Sequence, residues 1–311
     1  MELAERVLAG ERLALSRLLS AVENDTPAGR EALDRLYAHA GRAHLVGITG
    51  APGTGKSSLA NRLALAIRAA GFKVAVIAVD PSSPFTGGAL LGDRLRMKDV
   101  AGDPGVFIRS MASRGALGGL ARTTAAASQV LDAAGFAYVL IETVGSGQNE
   151  VEIARLAHTV IVVDAPGLGD DIQAIKAGIL EIADILVVNK ADLPGVDNTM
   201  RALNGMLEIA FGETGPERWR PPLIRAVAAS GEGVDEIFAA IQAHGEFLRG
   251  GGGWGQREQA RLRAEFETLL RDSVWERWKQ KVGAERLDDA LRRVALRQTS
   301  PYAALDEFLD R

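Results

Sequence analysis

The chain has 311 residues, with 36 Lys and Arg against 40 Asp and Glu, a net charge of −4 and no cysteine. At about 150 residues per domain the length suggests two domains, or one large one with extensions, and a hydrophobic fraction of 47% is ample for a core. The missing cysteines exclude a disulfide scaffold, a thiolate zinc site, a cysteine nucleophile and a cysteine-ligated iron–sulfur cluster, while the mild acidity argues against general nucleic-acid binding.

Residues 1–40 read as helical: Leu8, Leu15, Leu18, Leu19 and Val22 recur at helical spacing among Arg and Glu. The acids and bases mixed through this start are unlike the basic-then-apolar order of a signal peptide, and no apolar run approaches the ~20 residues of a membrane span. The expectation is a soluble cytoplasmic protein. Asp25-Thr26-Pro27 breaks the pattern and offers a cap with proline in the first turn of a second helix, whose buried face would be Leu33, Leu36 and Tyr37. From about residue 44, short apolar runs alternate with helical stretches. The runs are Leu45–Ile48, Val74–Val79, Val106–Ile108, Tyr138–Ile141, Thr159–Val163, Ile185–Val188 and Leu223–Val227. Most are continuously apolar, as strands covered on both faces are. This alternation implies a doubly wound, mostly parallel α/β sheet. Gly250–Gly253 reads as a linker, and the helix after it carries an apolar stripe of Leu262, Phe266, Leu269, Leu270, Val274 and Trp278. The resulting division is a helical extension over 1–42, an α/β domain over 43–249 and a helical arm over 250–311.

Gly50-Ala51-Pro52-Gly53-Thr54-Gly55-Lys56-Ser57 fits the phosphate-loop pattern GxxxxGK[ST], between an apolar strand and an amphipathic helix. Glycines let backbone N–H groups wrap a triphosphate without Cβ clashes, and Lys56 supplies charge for the β- and γ-phosphates. Ser57 offers a hydroxyl to Mg²⁺, and with Ser58 it opens a helix whose positive end faces the phosphates. Asn189-Lys190-Ala191-Asp192 follows a strand in the pattern NKxD. An Asp192 carboxylate can accept from the ring N–H and the exocyclic amine of guanine together. Adenine has no such donor pair and would leave the carboxylate unpaired, at a cost of about 1–3 kcal/mol. GTP is therefore favoured over ATP. Asn189 would organise the loop, Lys190 would lie over the base, and Ala228, after the next strand, is a weaker second base contact.

Asp80 and Glu142 each end an apolar run, at the edge where open α/β sheets bind ligands. Glu142-Thr143-Val144-Gly145 resembles the DxxG element of GTPases with Glu for Asp, and Gly145 would let its N–H approach a γ-phosphate. Ser57, Asp80, Asp93 and Glu142 make an oxygen set suited to Mg²⁺, with Lys56, Asp93 and Glu142 as the groups closest to the chemistry. Arg94, Arg96 and Arg109 are candidate cations, and Gln148 is a candidate for orienting water. His39, His44, His158 and His244 show no metal-ligand spacing and read as structural.

Together these motifs resemble the MeaB/ArgK/MMAA group, the methylmalonyl-CoA mutase-associated P-loop GTPases of the SIMIBI class. The segments that bear the resemblance are 47–60, 79–97, 142–154 and 166–193. It implies a GTPase that cycles GTP to GDP with Mg²⁺ and chaperones an adenosylcobalamin-dependent acyl-CoA mutase, gating cofactor loading and protecting the mutase. It further implies that Gly167–Glu181, with Gln173, Lys176 and Glu181, is a switch, and that the C-terminal helices form a homodimer arm. Two other readings fit less well. A metallocentre-assembly GTPase would need soft ligands that this chain lacks. An ATPase or kinase linked to amino-acid transport conflicts with Asp192.

Overall fold

Seven apolar runs become seven strands, and every described pairing among them is parallel. They are β1 (His44–Thr49), β2 (Val74–Asp80), β3 (Val106–Ala112), β4 (Tyr138–Thr143), β5 (Thr159–Asp164), β6 (Ile185–Val188) and β7 (Leu223–Arg225), in the order β3-β2-β4-β1-β5-β6-β7. β1, β4 and β5 are buried along their whole length, which explains why their sequences do not alternate. The computed structural model describes residues 2–80, 102–112, 119–143, 148–167, 181–212, 215 and 217–309, with backbone alone at 80, 112, 119–121, 148–151 and 309.

Helices cover both faces. On one, α4 (Lys56–Ala69) and α8 (Val234–Gly250) pack Leu59, Leu63, Ile67, Ile237 and Ile241 on Val46, Ile48, Leu140, Ile161 and Val187. The other face carries α5 (Gly119–Ala133) and α6 (Gln148–Leu156), with α7 (Val196–Phe211) against Val160, Val162 and Leu186. The helices α1 (Leu3–Leu8), α2 (Arg12–Glu23) and α3 (Pro27–Leu36) join the same buried cluster as α5 and the strands β2–β4. Thr26 caps α3 by accepting the Gly29 N–H at 3.1 Å, with Pro27 in the first turn as the sequence suggests. Side chains tie this helical layer to the sheet. Arg109 on β3 pairs with Glu23, which makes it a structural cation rather than a catalytic one, and Arg122 on α5 meets Asp25 at 2.8 Å. Asp132 on α5 accepts the N–H groups of Gly41, Arg42 and Ala43.

The glycine run forms a turn between α8 and α9 (Gly253–Val282). The chain divides into two compact units, Met1–Leu262 and Arg263–Arg311, so the opening turns of α9 belong to the first. In the second unit, α10 (Ala284–Ala295) and α11 (Pro301–Leu309) follow, Trp275 stacks on Trp278 at 5.0 Å, and Trp278 meets the edge of Phe308 at 5.2 Å.

At the amino edge of the sheet, three of the four histidines converge. The Thr159 hydroxyl spans His44 Nε2 (2.6 Å) and His244 Nδ1 (2.9 Å), donating to one ring and accepting from the other. His244 Nε2 lies 3.3 Å from Asp184. That carboxylate also takes both terminal nitrogens of Arg257 (2.8 and 2.7 Å) and the Val160 N–H. His158 Nδ1 accepts the Leu45 N–H, which leaves its proton on Nε2, facing Glu258 at 3.2 Å. Trp254 stacks on His158 at 4.0 Å. Through these contacts the first turns of α9 are welded under the sheet.

Burial lowers the pKa of all three histidines, and His244 is brought down to about 4 despite the opposing charge of Asp184. Burial alone would raise Glu258, but hydrogen bonds from His158 and Arg261 bring it to about 2. A histidine depressed in the fold takes up its proton first in the unfolded chain, so its contribution is lost as pH falls from about 6.5 towards 4. Glu258 contributes above about 4.5 and loses that contribution as pH falls towards 2. Asp164, raised by burial, acts in the opposite sense over the carboxylate range. We expect the stability of the first unit to fall between pH 6.5 and 4 by on the order of 3 kcal/mol for His244 alone. Urea midpoints measured across that range check this; the His244→Asn variant should show a visibly flatter pH profile.

Candidate nucleotide site

The chain reverses its direction across the sheet beside β1, and this is where the sequence puts its phosphate loop. β1 ends at Thr49, Gly50–Gly55 form the loop, and α4 opens at Lys56 with Ser57 and Ser58 in its first turn. Two glycines are dictated by neighbours. Gly50 has φ +139°, and a Cβ there would stand 2.0 Å from the Val163 carbonyl oxygen of β5. Gly55 has φ +90°, and its Cβ would stand 2.3 Å from Asn189 Nδ2. Thr54 donates its hydroxyl to the Ala51 carbonyl at 2.9 Å, while Ala51, Pro52 and Gly53 face outward. Lys56 is buried and donates Nζ to the carbonyls of Gly50 and Ala51, each at 2.9 Å. Its charge is thereby folded over the mouth of its own loop.

On the β4 side of β1, the Ser57 hydroxyl donates to Glu142 Oε1 at 2.5 Å, and Glu142 is buried. Glu142 pairs in register with Ile48, one residue before the end of β1, so the carboxylate reaches the first turn of α4 across adjacent strands. Beside it, the hydroxyls of Thr143 and Thr49 lie 3.4 Å apart. Asp80 ends β2, the next strand outward, at the same edge. Ser57 and Glu142 are hard oxygen donors, a set that suits Mg²⁺. Among the described residues no group of three or more His, Asp or Glu gathers as a metal site.

The β6 side carries the base loop. The Asn189 side chain is buried and works in both directions. Its Nδ2 donates to the Thr54 carbonyl of the phosphate loop at 2.7 Å, and its Oδ1 accepts the Ala228 N–H at 2.9 Å. The Asn189 N–H donates to the Asp164 carbonyl, and the Ala191 N–H to that of Ala226. Lys190 holds a left-handed backbone, φ +56°, which turns the chain so that Asp192 stands exposed. Arg62, on the outer part of α4, donates to the carbonyls of Ala228 (3.1 Å) and Ala229 (2.7 Å).

The structure thus brings together Gly50–Ser58, Glu142, Asn189, Lys190, Asp192 and Ala228 at one edge, with the end of β2 beside them. Gln148 opens α6, and Glu181 is exposed in the turn before β6. Asp93, Arg94, Arg96, Gly145, Gln173 and Lys176 lie outside the described residues. Reading the sequence missed Arg62, since nothing local marks one arginine on an amphipathic helix, and it missed the convergence of the histidines.

The profile of the family described as methylmalonyl-CoA mutase-associated GTPase MeaB matches residues 15–283, and the chain belongs to that family. A Pyrococcus abyssi protein with a GTPase name is 46% identical over 308 residues, covering 99% of this chain and 95% of its own. GTPase ArgK of Escherichia coli is 39% identical over 246 residues, 77% of this chain and 74% of its own. The crystal structure titled LAO/AO transport system kinase superposes with a TM-score of 0.72 at 28% identity, covering 99% of this chain and 95% of that one. The chain is a P-loop GTPase.

Removing the Asn189 side chain leaves the buried Thr54 carbonyl and Ala228 N–H unpaired. Asn189→Ala is expected to cost on the order of 3 kcal/mol in urea unfolding and to weaken GDP binding at least tenfold in calorimetry. An unchanged unfolding midpoint would show that the bridge is not structural.

Proposed function

We propose that the chain binds GTP with Mg²⁺, hydrolyses it slowly to GDP and phosphate, and serves as the chaperone of an adenosylcobalamin-dependent acyl-CoA mutase, methylmalonyl-CoA mutase first among them. The observation that carries the nucleotide reading is Asn189 joined to both Thr54 and Ala228, which fuses a phosphate loop and a base loop into one cradle. Family membership supports the mutase as partner. Among the described residues no helix is long and apolar enough to cross a membrane, and we propose a cytoplasmic protein.

The chemistry follows from the cradle. Arriving phosphates would exchange for the Gly50 and Ala51 carbonyls as partners of Lys56, bringing its charge onto the β- and γ-phosphates. Ser57 would turn its hydroxyl from Glu142 to Mg²⁺, with Glu142, Asp80 and Asp93 completing the oxygen set. Bound Mg²⁺ would supply neutralisation of the charge that develops on the phosphates. Asp192 would accept from the guanine N1–H and 2-amino group. Gln148 would orient the attacking water, and the Gly145 N–H would sense the γ-phosphate. Gln173, Lys176 and Glu181, in the connection after β5, would pass the nucleotide state to the mutase.

GTP turnover with and without the mutase tests this. We expect stimulation of at least tenfold and co-elution of the two proteins on gel filtration, with Lys56→Ala losing nucleotide binding. No complex with the mutase in any nucleotide state would overturn the chaperone role.

The second unit supports a homodimer. Phe266, Leu270 and Val274 are 65%, 52% and 56% exposed, a large apolar surface for one chain to leave in water. Light scattering at micromolar concentration should give twice the chain mass, and Phe266→Glu with Leu270→Glu should give the monomer. A wild-type monomer would overturn this.

A further inference from the structure

The base loop after β7 reads Ala228-Ala229-Ser230, and its two alanines have no polar side chain with which to fix the loop. It is nonetheless held on two sides. Asn189 Oδ1 takes the Ala228 N–H at 2.9 Å, so Ala228 has no N–H left to offer a base. Arg62 takes the two successive carbonyls, Ala228 O through Nε at 3.1 Å and Ala229 O through a terminal nitrogen at 2.7 Å. No peptide in the described chain is cis. In a trans peptide the C=O and N–H point in opposite directions. With the Ala228 carbonyl fixed on Arg62, the Ala229 N–H is directed away from α4. Ala229 is exposed, and among the described residues its N–H has no acceptor. The next N–H, of Ser230, closes the turn on the Val227 carbonyl. The loop therefore keeps one backbone donor available, and a guanidinium on the phosphate-loop helix sets its direction.

We infer that Arg62 is a positioning residue for purine selection, which aims the Ala229 N–H at the 6-oxo group of a guanine-type base. This rests on the guanine reading of the site above. The chemistry is separable from that of Asp192. A 6-oxo purine presents an acceptor at position 6, whereas adenine presents an amino group, which an N–H donor rejects. Asp192 reads N1–H and the 2-amino group. Hypoxanthine keeps the 6-oxo group and lacks the 2-amino group, so IDP separates the two contacts. Arg62 lies on α4 six residues after Lys56 and offers a rigid fork to two carbonyls at once.

The test is calorimetric titration of the full-length chain with GDP, IDP and ADP in the presence of Mg²⁺. The wild type should prefer GDP and IDP to ADP. Arg62→Ala should weaken GDP and IDP by the same factor, about tenfold for one mispositioned hydrogen bond, while ADP stays within about twofold. The GDP-to-IDP ratio, set by Asp192, should not move. Arg62→Lys keeps the charge and reaches one carbonyl, and should fall between; it serves in place of Arg62→Ala should that variant not fold. Arg62 variants with the wild-type GDP-to-ADP ratio, whether nothing changes or all three nucleotides weaken together, would overturn the inference. A wild type that binds ADP as well as GDP would overturn the guanine reading itself, and the role of Arg62 with it.

Discussion

The candidate site depends on one buried amide. Asn189 is 135 residues from Thr54 and 39 from Ala228, and its side chain is hydrogen-bonded to both. An amide is the side chain suited to this, since it donates from one end and accepts at the other. The constraint extends further. Asn189 Nδ2 occupies the space where any Cβ at position 55 would go, so Gly55 is fixed by its contact with Asn189 as well as by its positive φ. The phosphate loop takes its shape partly from the base loop.

The two sides of β1 are built differently. On the β6 and β7 side, backbone hydrogen bonds bind the base loop to the sheet: Asn189 to Asp164, Ala191 to Ala226, and Ala226 to Val188. On the β4 side, the Ser57 hydroxyl donates to Glu142, two polar groups that a cation would draw apart. A GTPase needs this asymmetry. The base half provides affinity in every nucleotide state, whereas the γ-phosphate half must respond to the loss of one phosphate.

The sequence made the strands legible because burial on both faces leaves a run of apolar residues, and it made the phosphate loop legible because close backbone approach admits only glycine at fixed spacing. The Thr26 cap was legible for a similar local reason. What escaped was long-range. His44, His158 and His244 look scattered along the chain, yet β1, β5 and α8 carry them to one edge, where Thr159 and Asp184 join them. Sequence spacing finds ligands on one element and is blind to those assembled by parallel strands. Gly250–Gly253 reads as a linker by composition, but the turns after it carry Trp254, Arg257 and Glu258, which hold the opening turns of α9 beneath the sheet.

This placement bears on how the first unit can communicate. The amino-edge network touches the starts of β1 and β5 and the residue before β6. The carboxyl ends of these strands bear the phosphate loop, the Asp164 carbonyl that takes the Asn189 N–H, and Asn189 itself. The strands between are short and buried, and a packed sheet transmits displacement with little loss. Any shift of β1 relative to β6 that opened the nucleotide cradle would have to be accommodated below by His44, Thr159, His244 and Asp184. Those groups are buried and hydrogen-bonded at fixed geometry, and separating them carries the cost of unpaired polar atoms. The network therefore braces the base half of the site from underneath.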